Sequence, residues 1–239
     1  MADKDSSTPR VYLFRHGETE WTISGRYTGV SEVPLTANGE QQVLSTGRVA
    51  VGRGKLVDPA RVARVFVSPR KRARTTFDLL FRPGGAEEGS GRMVADSKVQ
   101  VTADISEWGY GAYEGLLTEQ IRARRKAHGL DRDRAWDIWR DGCEGEGGES
   151  PGEVTERLDR LIETIREMQR PNMHGEAAAD VVLVAHGHIL RAFVKRWLGY
   201  PMETPLHLMM SPGAVGVLSY ANHRVENPAL MVGVSLPVQ

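Results

Sequence analysis

An arginine and a histidine stand side by side at the end of an apolar segment near the start of the chain. The segment VYLFRHGETEW (residues 11–21) begins with four apolar or aromatic residues, which predict a buried strand, and continues with Arg15, His16 and Gly17. A guanidinium and an imidazole in one small space bind oxyanions well. The glycine that follows has no side chain, so backbone and ligand can approach each other closely there.

Two later segments place similar side chains after predicted strands. They are SPRKRART (residues 68–75) and AHGH (residues 185–188). In open α/β sheets, ligands bind beyond the carboxyl ends of the strands, so the three segments should meet at one edge of the sheet. Two histidines and several arginines at one edge would form a cationic pocket, for which phosphate is the expected ligand.

Each of these features also has a simpler structural interpretation. A single histidine at a strand end is usually structural, and PRKRAR on its own suits a solvated face or a nuclear-localisation-like segment. His186 and His188 would share one face, but no cysteine or carboxylate stands near them at ligand spacing, so the sequence predicts no metal site and no cofactor. Only the joint pattern of the three segments favours catalysis.

The remaining elements predict how these segments are held. Short segments rich in valine, isoleucine and leucine, without strict alternation, predict strands covered on both faces. These strands are residues 11–15, 62–68, 99–103, 181–185, 214–220 and 230–236. Helices are predicted over about residues 36–52 and 69–81, after His188, and from Ser150, where a serine cap, Pro151 and Glu153 form a capping box.

The alternation of strands and helices predicts a single α/β domain over residues 1–239, with a mostly parallel central sheet and helices on both faces. The glycine-rich segment RPGGAEEGSGR (residues 82–92) predicts a mobile surface loop. Residues of about 108–149 are charged, contain tryptophans and lack a clear period. We expect them to form an irregular, cap-like insertion over the sheet edge and the active site.

Composition narrows the class of protein. The 239 residues contain 31 basic and 31 acidic side chains, so no overall charge favours nucleic acid or a membrane surface as a partner. Cys143 is the single cysteine, which suits a reducing compartment, and the polar start and the absence of a long apolar segment argue against secretion and membrane insertion. We therefore expect a cytoplasmic protein, with the nucleus also compatible; a homo-oligomer is equally compatible with the sequence.

The three segments, with EWGYGAYEG (residues 107–115), resemble the histidine phosphatase (phosphoglycerate mutase-like) superfamily. The resemblance covers nearly the whole chain in the right order. GRYTG, SPRKRART, EWGYGAYEGLLT and WDIWRDGCE are most similar to the fungal sedoheptulose-1,7-bisphosphatase branch of that superfamily.

The resemblance implies a role for each site residue. It makes His16 the nucleophile, Glu107 the general acid, and Arg15, Arg72 and His186 the ligands of the phosphoryl oxygens. It implies substrate contacts by Tyr27, Thr28, Gly29, Gly187 and Arg191. We expect an aromatic rim formed by Trp108, Tyr110, Tyr113 and Tyr27. Arg70, Arg140 and Arg191 are the candidates for binding a distal phosphate.

General chemistry agrees with these roles. An imidazole with a solution pKa of ~6.5 is partly neutral at neutral pH and can attack phosphorus without a separate strong base. Phosphate monoesters need accelerations of up to ~10²¹-fold, most of which must come from positioning and from fixed charge. Glu107, in a water-poor pocket beside phosphate, would hold a proton more readily than free glutamate and could donate it to the leaving oxygen.

Phosphatase, mutase and non-enzymatic functions can be distinguished in part. Mutases that the sequence resembles carry an arginine where this chain has Trp108, a lysine at Thr118, and paired arginines where Arg140 is followed by Asp141. These losses favour a phosphatase. A binding module that kept the fold would be expected to lose a key residue, and none is missing. A sugar bisphosphate, with sedoheptulose 1,7-bisphosphate first, is the expected substrate; fructose bisphosphates and sugar monophosphates remain alternatives.

Overall fold

Short segments rich in β-branched residues form the centre of the molecule. The structure is a computed structural model that describes residues 7–81 and 93–233. The strands within these residues are β1 (Val11–Arg15), β2 (Val62–Val67), β3 (Val99–Val101), β4 (Asp180–Ala185), β5 (Val215–Tyr220) and β6 (Pro228–Leu230). They form one sheet in the order β3-β2-β4-β1-β5-β6.

The sheet is parallel over four of its six strands. Strands β3, β2, β4 and β1 pair in parallel, whereas β5 is antiparallel to β1 and β6 is antiparallel to β5. This confirms the mostly parallel sheet that the strand–helix alternation predicts. Arg15 at the end of β1 lies opposite Ala185 at the end of β4, so the residues that follow them leave the sheet side by side.

Alternate residues of the central strands pack into two cores on the two faces of the sheet. In β1, Val11 and Leu13 face one core, and Tyr12 and Phe14 face the other. The central strands are therefore covered on both faces, as predicted. The edge strand β3 differs because it has a neighbour on one side only, and Val101 is half-exposed.

Helices flank both faces of the sheet. They are α1 (Glu20–Ser24), α2 (Ala37–Ala50), α3 (Lys71–Leu80), α4 (Thr118–Ala127), α5 (Ile138–Asp141), α6 (Pro151–Gln169) and α7 (Gly187–Trp197). Helices α2 and α3 cover one face, and α6 and α7 cover the other. The predicted capping box at the start of α6 is confirmed, because Ser150 and Glu153 exchange hydrogen bonds of 2.8 and 3.2 Å.

The structure departs from the sequence predictions at two places. Helix α4 lies inside the segment that was expected to be irregular; only Ile121 and Arg125 of it are buried, so its sequence has no apolar stripe. The last predicted strand, residues 230–236, is observed as β6, which ends at Leu230; residues 234–236 lie outside the described part. The predicted loop at residues 82–92 also lies outside it.

The segment of residues 108–149 shares the core of the α6 and α7 face. Tyr110, Tyr113 and Trp136 are fully buried in it. Within the described residues, no helix is long and apolar enough to cross a membrane.

Candidate active site

His16 lies at the carboxyl end of β1, where the backbone turns away from the sheet. Its N–H donates to the Ala185 carbonyl at 2.9 Å, which continues the pairing of β1 with β4 by one residue. Its Nδ1 lies 2.7 Å from the Gly17 carbonyl. A carbonyl can only accept, so Nδ1 carries the proton and the lone pair is on Nε2. The imidazole is therefore in the tautomer that can attack through Nε2.

The surroundings of His16 keep its ring neutral. The residue is 4 % exposed. Burial, together with the positive charges of Arg72 and Arg15, lowers the pKa of His16 to about 3. At neutral pH the ring is an unprotonated base, which is the form a nucleophile needs.

The structure explains why residue 17 is a glycine in a way that the sequence analysis did not identify. A Cβ on Gly17 would lie 2.3 Å from the carbonyl oxygen of Gly39 in α2. The backbone after His16 therefore packs directly on the backbone of α2, and any side chain would displace it. The close contact of two chain segments is thus one reason for this glycine, and the close approach of a ligand stays a prediction.

His16 opens onto a cleft of about 630 Å³, part of it open to solvent. Three arginines and one carboxylate are the charged groups in its wall. The lining residues are Arg15, His16, Trp21, Thr22, Gly25, Arg26, Tyr27, Thr28, Glu107, Tyr110, Thr118, Gly187, His188 and Arg191. This wall includes seven of the residues to which the sequence analysis assigned substrate or catalytic roles beside His16.

Arg15 supplies positive charge next to His16. Its Nη1 donates to the Met210 carbonyl at 2.7 Å, while its buried Nε has no hydrogen-bond partner among the described residues. Burial lowers the pKa of Arg15 below its ordinary value, yet a guanidinium stays charged at neutral pH. A buried donor without a partner is costly, and a phosphoryl oxygen could accept from it.

Arg72 and His186 form a fully buried layer behind His16. Arg72 Nε donates to His186 Nδ1 at 3.1 Å, so the second nitrogen of that ring carries the proton and donates to Ser68 Oγ at 2.7 Å. Burial and the charge of Arg72 lower the pKa of His186 well below its ordinary value. The rings of His16 and His186 are 5.1 Å apart between centroids.

The terminal nitrogens of Arg72 donate to backbone carbonyls of the loop after α1. The acceptors are Thr28 and Ser31, each at 2.8 Å, and Gly29 at 3.0 Å. Arg72 therefore holds this loop in place, and neither Arg72 nor His186 lines the cleft. The structure brings both residues next to His16, but their contact with phosphoryl oxygens stays a prediction.

Glu107 lies at the amino end of α7, across from His16. Its carboxylate accepts the amide N–H of His188 at 3.1 Å, of Ile189 at 2.8 Å and of Trp108 at 2.9 Å. The first two amides belong to the first turn of α7, where the helix dipole is positive. Three backbone amides thus hold the buried carboxylate in place, and its role as a proton donor stays a prediction.

His188 links the aromatic side chains of the cleft. Its Nδ1 lies 2.8 Å from the Tyr110 hydroxyl, and its ring stacks on Tyr27 at 5.4 Å with an angle of 13°. Tyr27 also meets Tyr110 edge-on at 4.9 Å. The sequence analysis considered His188 only as a metal ligand and missed this role. The alternation of His186 and His188 around Gly187 was the available signal.

Two predicted binding residues, Trp108 and Gly29, lie outside the cleft wall. Trp108 is fully buried; its indole donates to the Glu149 carbonyl at 2.9 Å and its ring does not reach the cleft. The Gly29 amide donates to both oxygens of Glu114, and a Cβ on Gly29 would lie 2.8 Å from the Trp108 carbonyl. Gly29 therefore shapes the loop beside the cleft.

Of the three arginines expected near a distal phosphate, only Arg191 lines the cleft. Its Nε donates to the Gly187 carbonyl at 2.9 Å, and within the described residues its terminal nitrogens have no hydrogen-bond partner. Arg70 donates to the Val30 carbonyl at 3.2 Å, and Arg140 is paired with Asp141. Neither of these two lies in the cleft wall.

Arg26 is a cleft cation that the sequence analysis missed. It is exposed at the mouth, and its Nη1 donates to the Gly115 carbonyl at 2.7 Å. Gly25 ends α1 with a φ of 74°, and the Arg26 amide then donates to the Trp21 carbonyl at 2.9 Å. The string GRYTG contained this residue, but nothing in the spacing showed that its side chain would reach the cleft.

Metal binding finds no support in the donor set. In the described part of the chain, no group of three or more histidine, cysteine, aspartate and glutamate side chains lies close enough to hold an ion. Fixed guanidinium groups are the cations of this cleft.

The comparison with known families decides the class of the protein. The sequence profile of the histidine phosphatase superfamily (branch 1) matches residues 11–230. The chain belongs to the histidine phosphatase superfamily. It is a phosphoric monoester hydrolase, in agreement with the names of its relatives as phosphatases.

Two relatives and one solved structure are similar to this chain over most of its length. A Saccharomyces cerevisiae protein named sedoheptulose 1,7-bisphosphatase is 38 % identical, over 94 % of this chain and 92 % of its own. A Mycobacterium tuberculosis protein named acid phosphatase is 33 % identical, over 93 % and 91 %. The solved structure of a Mycobacterium tuberculosis open reading frame superposes with a TM-score of 0.70 at 31 % identity, over 94 % and 96 % of the two chains.

Proposed function

We propose that this histidine phosphatase hydrolyses a sugar bisphosphate through a phosphohistidine at His16, with sedoheptulose 1,7-bisphosphate as the substrate and its 1-phosphate as the group released. The observation that carries the proposal is the state of His16. Its ring is neutral, its Nδ1 proton is held by the Gly17 carbonyl, and it lines the cleft.

The reaction then has two displacements. Nε2 of His16 attacks phosphorus, the bond from phosphorus to the sugar oxygen breaks, and Glu107 gives its proton to that oxygen. A water molecule next attacks the phosphohistidine, Glu107 takes a proton from it, and the bond from Nε2 to phosphorus breaks. In this scheme Glu107 carries a proton when substrate binds, and it regains that proton from the attacking water.

Fixed charge would stabilise the transferring group. Arg15 lines the cleft beside His16 and has a free buried donor, so we assign it to the equatorial oxygens. Arg72 and His186 would join it once their hydrogen bonds to each other and to the loop rearrange. The charge of Arg15 is thus in place before the reaction, whereas Arg72 and His186 contribute only after this rearrangement.

Two observations support the choice of substrate: the side chains in the outer part of the cleft, and the name of the similar yeast protein. Arg191 and Arg26 add positive charge beyond what one phosphate needs, and Tyr27, Tyr110 and His188 form a flat wall for the sugar. The 38 % identical yeast protein carries the name of an enzyme for this bisphosphate. Together these observations favour a substrate with a second phosphate.

A broad-specificity sugar phosphatase is the alternative, with fructose bisphosphates and sugar monophosphates among its substrates. The hydroxyl groups of Tyr27 and Thr118 lie 3.2 Å apart and are bonded to each other. A wall whose hydroxyl groups are already paired distinguishes poorly between sugars, because few unpaired groups penalise a wrong substrate.

Phosphoglycerate mutase activity is not proposed, although the superfamily includes proteins of that name. A mutase must hold a doubly phosphorylated intermediate with additional cations. Trp108 is buried, Thr118 is bonded to Tyr27, and Arg140 is neutralised by Asp141. None of the three supplies positive charge to the cleft.

A phosphate-release screen over sugar mono- and bisphosphates of four to eight carbons tests the substrate. We expect sedoheptulose 1,7-bisphosphate to exceed sedoheptulose 1-phosphate by at least ~10-fold in kcat/KM, which corresponds to ~1.4 kcal/mol of additional binding in the transition state. Equal values for the two would leave the broad sugar phosphatase as the function.

A further inference from the structure

A buried arginine outside the cleft holds the backbone that carries Glu107. Arg157 of α6 uses all five N–H donors of its guanidinium. Its Nη1 donates to the Asp104 and Ser106 carbonyls, each at 2.9 Å, and its Nη2 lies 3.4 Å from the Glu107 carbonyl. Nε and Nη2 donate to the two carboxylate oxygens of Glu149 at 2.8 and 2.9 Å.

Glu149 continues the same set of contacts on the other side of Glu107. Its Oε2 accepts the Gly109 amide at 2.7 Å, and its own amide donates to the Gly109 carbonyl at 2.9 Å. The Trp108 indole donates to the Glu149 carbonyl. Arg157 and Glu149 thus bind the backbone before, at and after Glu107.

As a charge pair, Arg157 and Glu149 are expected to add little net stability to the fold. The side chains of Arg157 and Glu149 are 10 % and 24 % exposed, and burying an ion pair gives little net stability. The chain around Glu107 lies outside the helices and strands, so no regular hydrogen-bond ladder fixes it. The Arg157–Glu149 pair supplies the fixed contacts that a ladder would give elsewhere.

We propose that Arg157 and Glu149 are positioning residues that set the place of the Glu107 carboxyl relative to the leaving oxygen. Neither residue lines the cleft, so neither touches substrate. The inference rests on the proposed role of Glu107 as the general acid. If it holds, disturbing the pair should impair proton donation and leave other parts of the reaction less affected.

The dependence on the leaving group separates positioning from support of the fold. Nitrophenolate leaves without a proton, whereas a sugar alkoxide needs one. A shift of the acid by ~1 Å can cost ~10²-fold in rate. We expect Glu149→Gln to lower kcat on sedoheptulose 1,7-bisphosphate and fructose 1,6-bisphosphate by ~10- to 10²-fold. The factor by which it lowers kcat on p-nitrophenyl phosphate should be at least ~10 times smaller. Arg157→Lys, which keeps the charge but has fewer donors, should show the same selectivity with a smaller loss.

Asp159 provides a matched control on the same helix. It forms a bidentate pair with Arg196 at 2.9 Å for both contacts and does not touch the Glu107 segment. Asp159→Asn removes a comparable pair, and we expect it to change the ratio of sugar to nitrophenyl activity by less than about 2-fold. Thermal midpoints of all variants, from circular dichroism, report any loss of fold.

The outcomes separate this inference from the proposed function. If Glu107→Gln slows sugar phosphates and p-nitrophenyl phosphate equally, both the role of Glu107 as general acid and this inference are wrong. If Glu107→Gln slows mainly the sugar phosphates while Glu149→Gln slows both substrate classes equally, only this inference is wrong. The Arg157–Glu149 pair would then support the fold alone. In the double variant Glu107→Gln/Glu149→Gln, we expect kcat on sugar substrates to be no lower than in Glu107→Gln alone. A loss equal to the product of the two single losses would also contradict this inference. If Glu149→Gln does not fold, Arg157→Lys decides by the same comparison.

Discussion

The rings of His16 and His186 meet edge to face with their centroids 5.1 Å apart, although 170 residues separate them in the chain. They meet because β1 and β4 are parallel neighbours and Arg15 is in register with Ala185. Each strand then ends in a histidine at the same edge. Arg72 adds its charge behind both rings, and the result is a neutral His16 imidazole in a strongly positive environment, which is what the proposed nucleophile requires.

Glu107 should matter in proportion to how poor the leaving group is. We expect Glu107→Gln to slow sugar phosphates by ~10²- to 10⁴-fold and p-nitrophenyl phosphate much less, because only the sugar alkoxide requires a proton. Steady-state kcat on the two substrates measures this. An equal loss on both would show that Glu107 positions substrate rather than protonating it.

The preference for a bisphosphate should depend on Arg191 and Arg26, which line the cleft. We expect Arg191→Gln and Arg26→Gln each to lower kcat/KM on sedoheptulose 1,7-bisphosphate by up to ~10-fold, and to change the value for sedoheptulose 1-phosphate far less. Arg124→Gln is the matched control, since Arg124 is exposed and donates to a carbonyl at 3.0 Å but lies outside the cleft wall. A preference that survives both cleft variants would place the distal phosphate elsewhere.

Stability should fall as the solution becomes mildly acidic. Burial lowers the pKa of His16 to about 3 and that of His186 well below 6.5. Below pH ~6.5 the unfolded chain binds protons at these positions and the native protein does not, so unfolding is favoured by ~1.4 kcal/mol per pH unit for each histidine. Urea unfolding between pH 7.5 and 5.5 measures the slope.

A variant of His186 shows how much this residue contributes to the slope of the unfolding free energy against pH. His186→Gln keeps a donor and an acceptor but cannot titrate, so the slope should become shallower by about half a proton averaged over this pH range, and by nearly one proton at its acid end. An unchanged slope would mean that His186 takes up its proton equally in the native and unfolded states.

Chelators should leave the activity intact. The cleft has fixed arginines and, among the described side chains, no cluster that could hold an ion. Phosphate release before and after dialysis against EDTA checks this. A loss of activity that added magnesium or zinc restores would contradict the account.

The part of the site that follows from strand ends could be predicted from the sequence. Apolar segments followed by Arg15-His16, by SPRKRART and by AHGH each predict a strand and a reactive end, and parallel pairing brings such ends together. The capping box at Ser150 was equally clear, because it depends on residues within one turn.

The parts that depend on loop paths could not be predicted. Arg26 reaches the cleft and Arg70 does not, and each guanidinium is held by a carbonyl far away in the chain, at Gly115 and Val30. Arg140 also stays outside the cleft wall, where it pairs with the adjacent Asp141. The bond from Arg72 to His186 joins residues 114 apart in the chain. No local period or spacing indicates such a contact.

Trapping the covalent intermediate tests the central claim most directly. Wild-type protein mixed briefly with ³²P-labelled substrate, quenched in alkali and digested should yield an acid-labile label on the peptide that contains His16. His16→Ala, shown by circular dichroism to be folded, should give no label and less than about a hundredth of wild-type turnover, since losing a member of a catalytic unit typically costs ~10⁴-fold or more. Label on another residue, or a His16→Ala variant that retains more activity than this, would contradict the account.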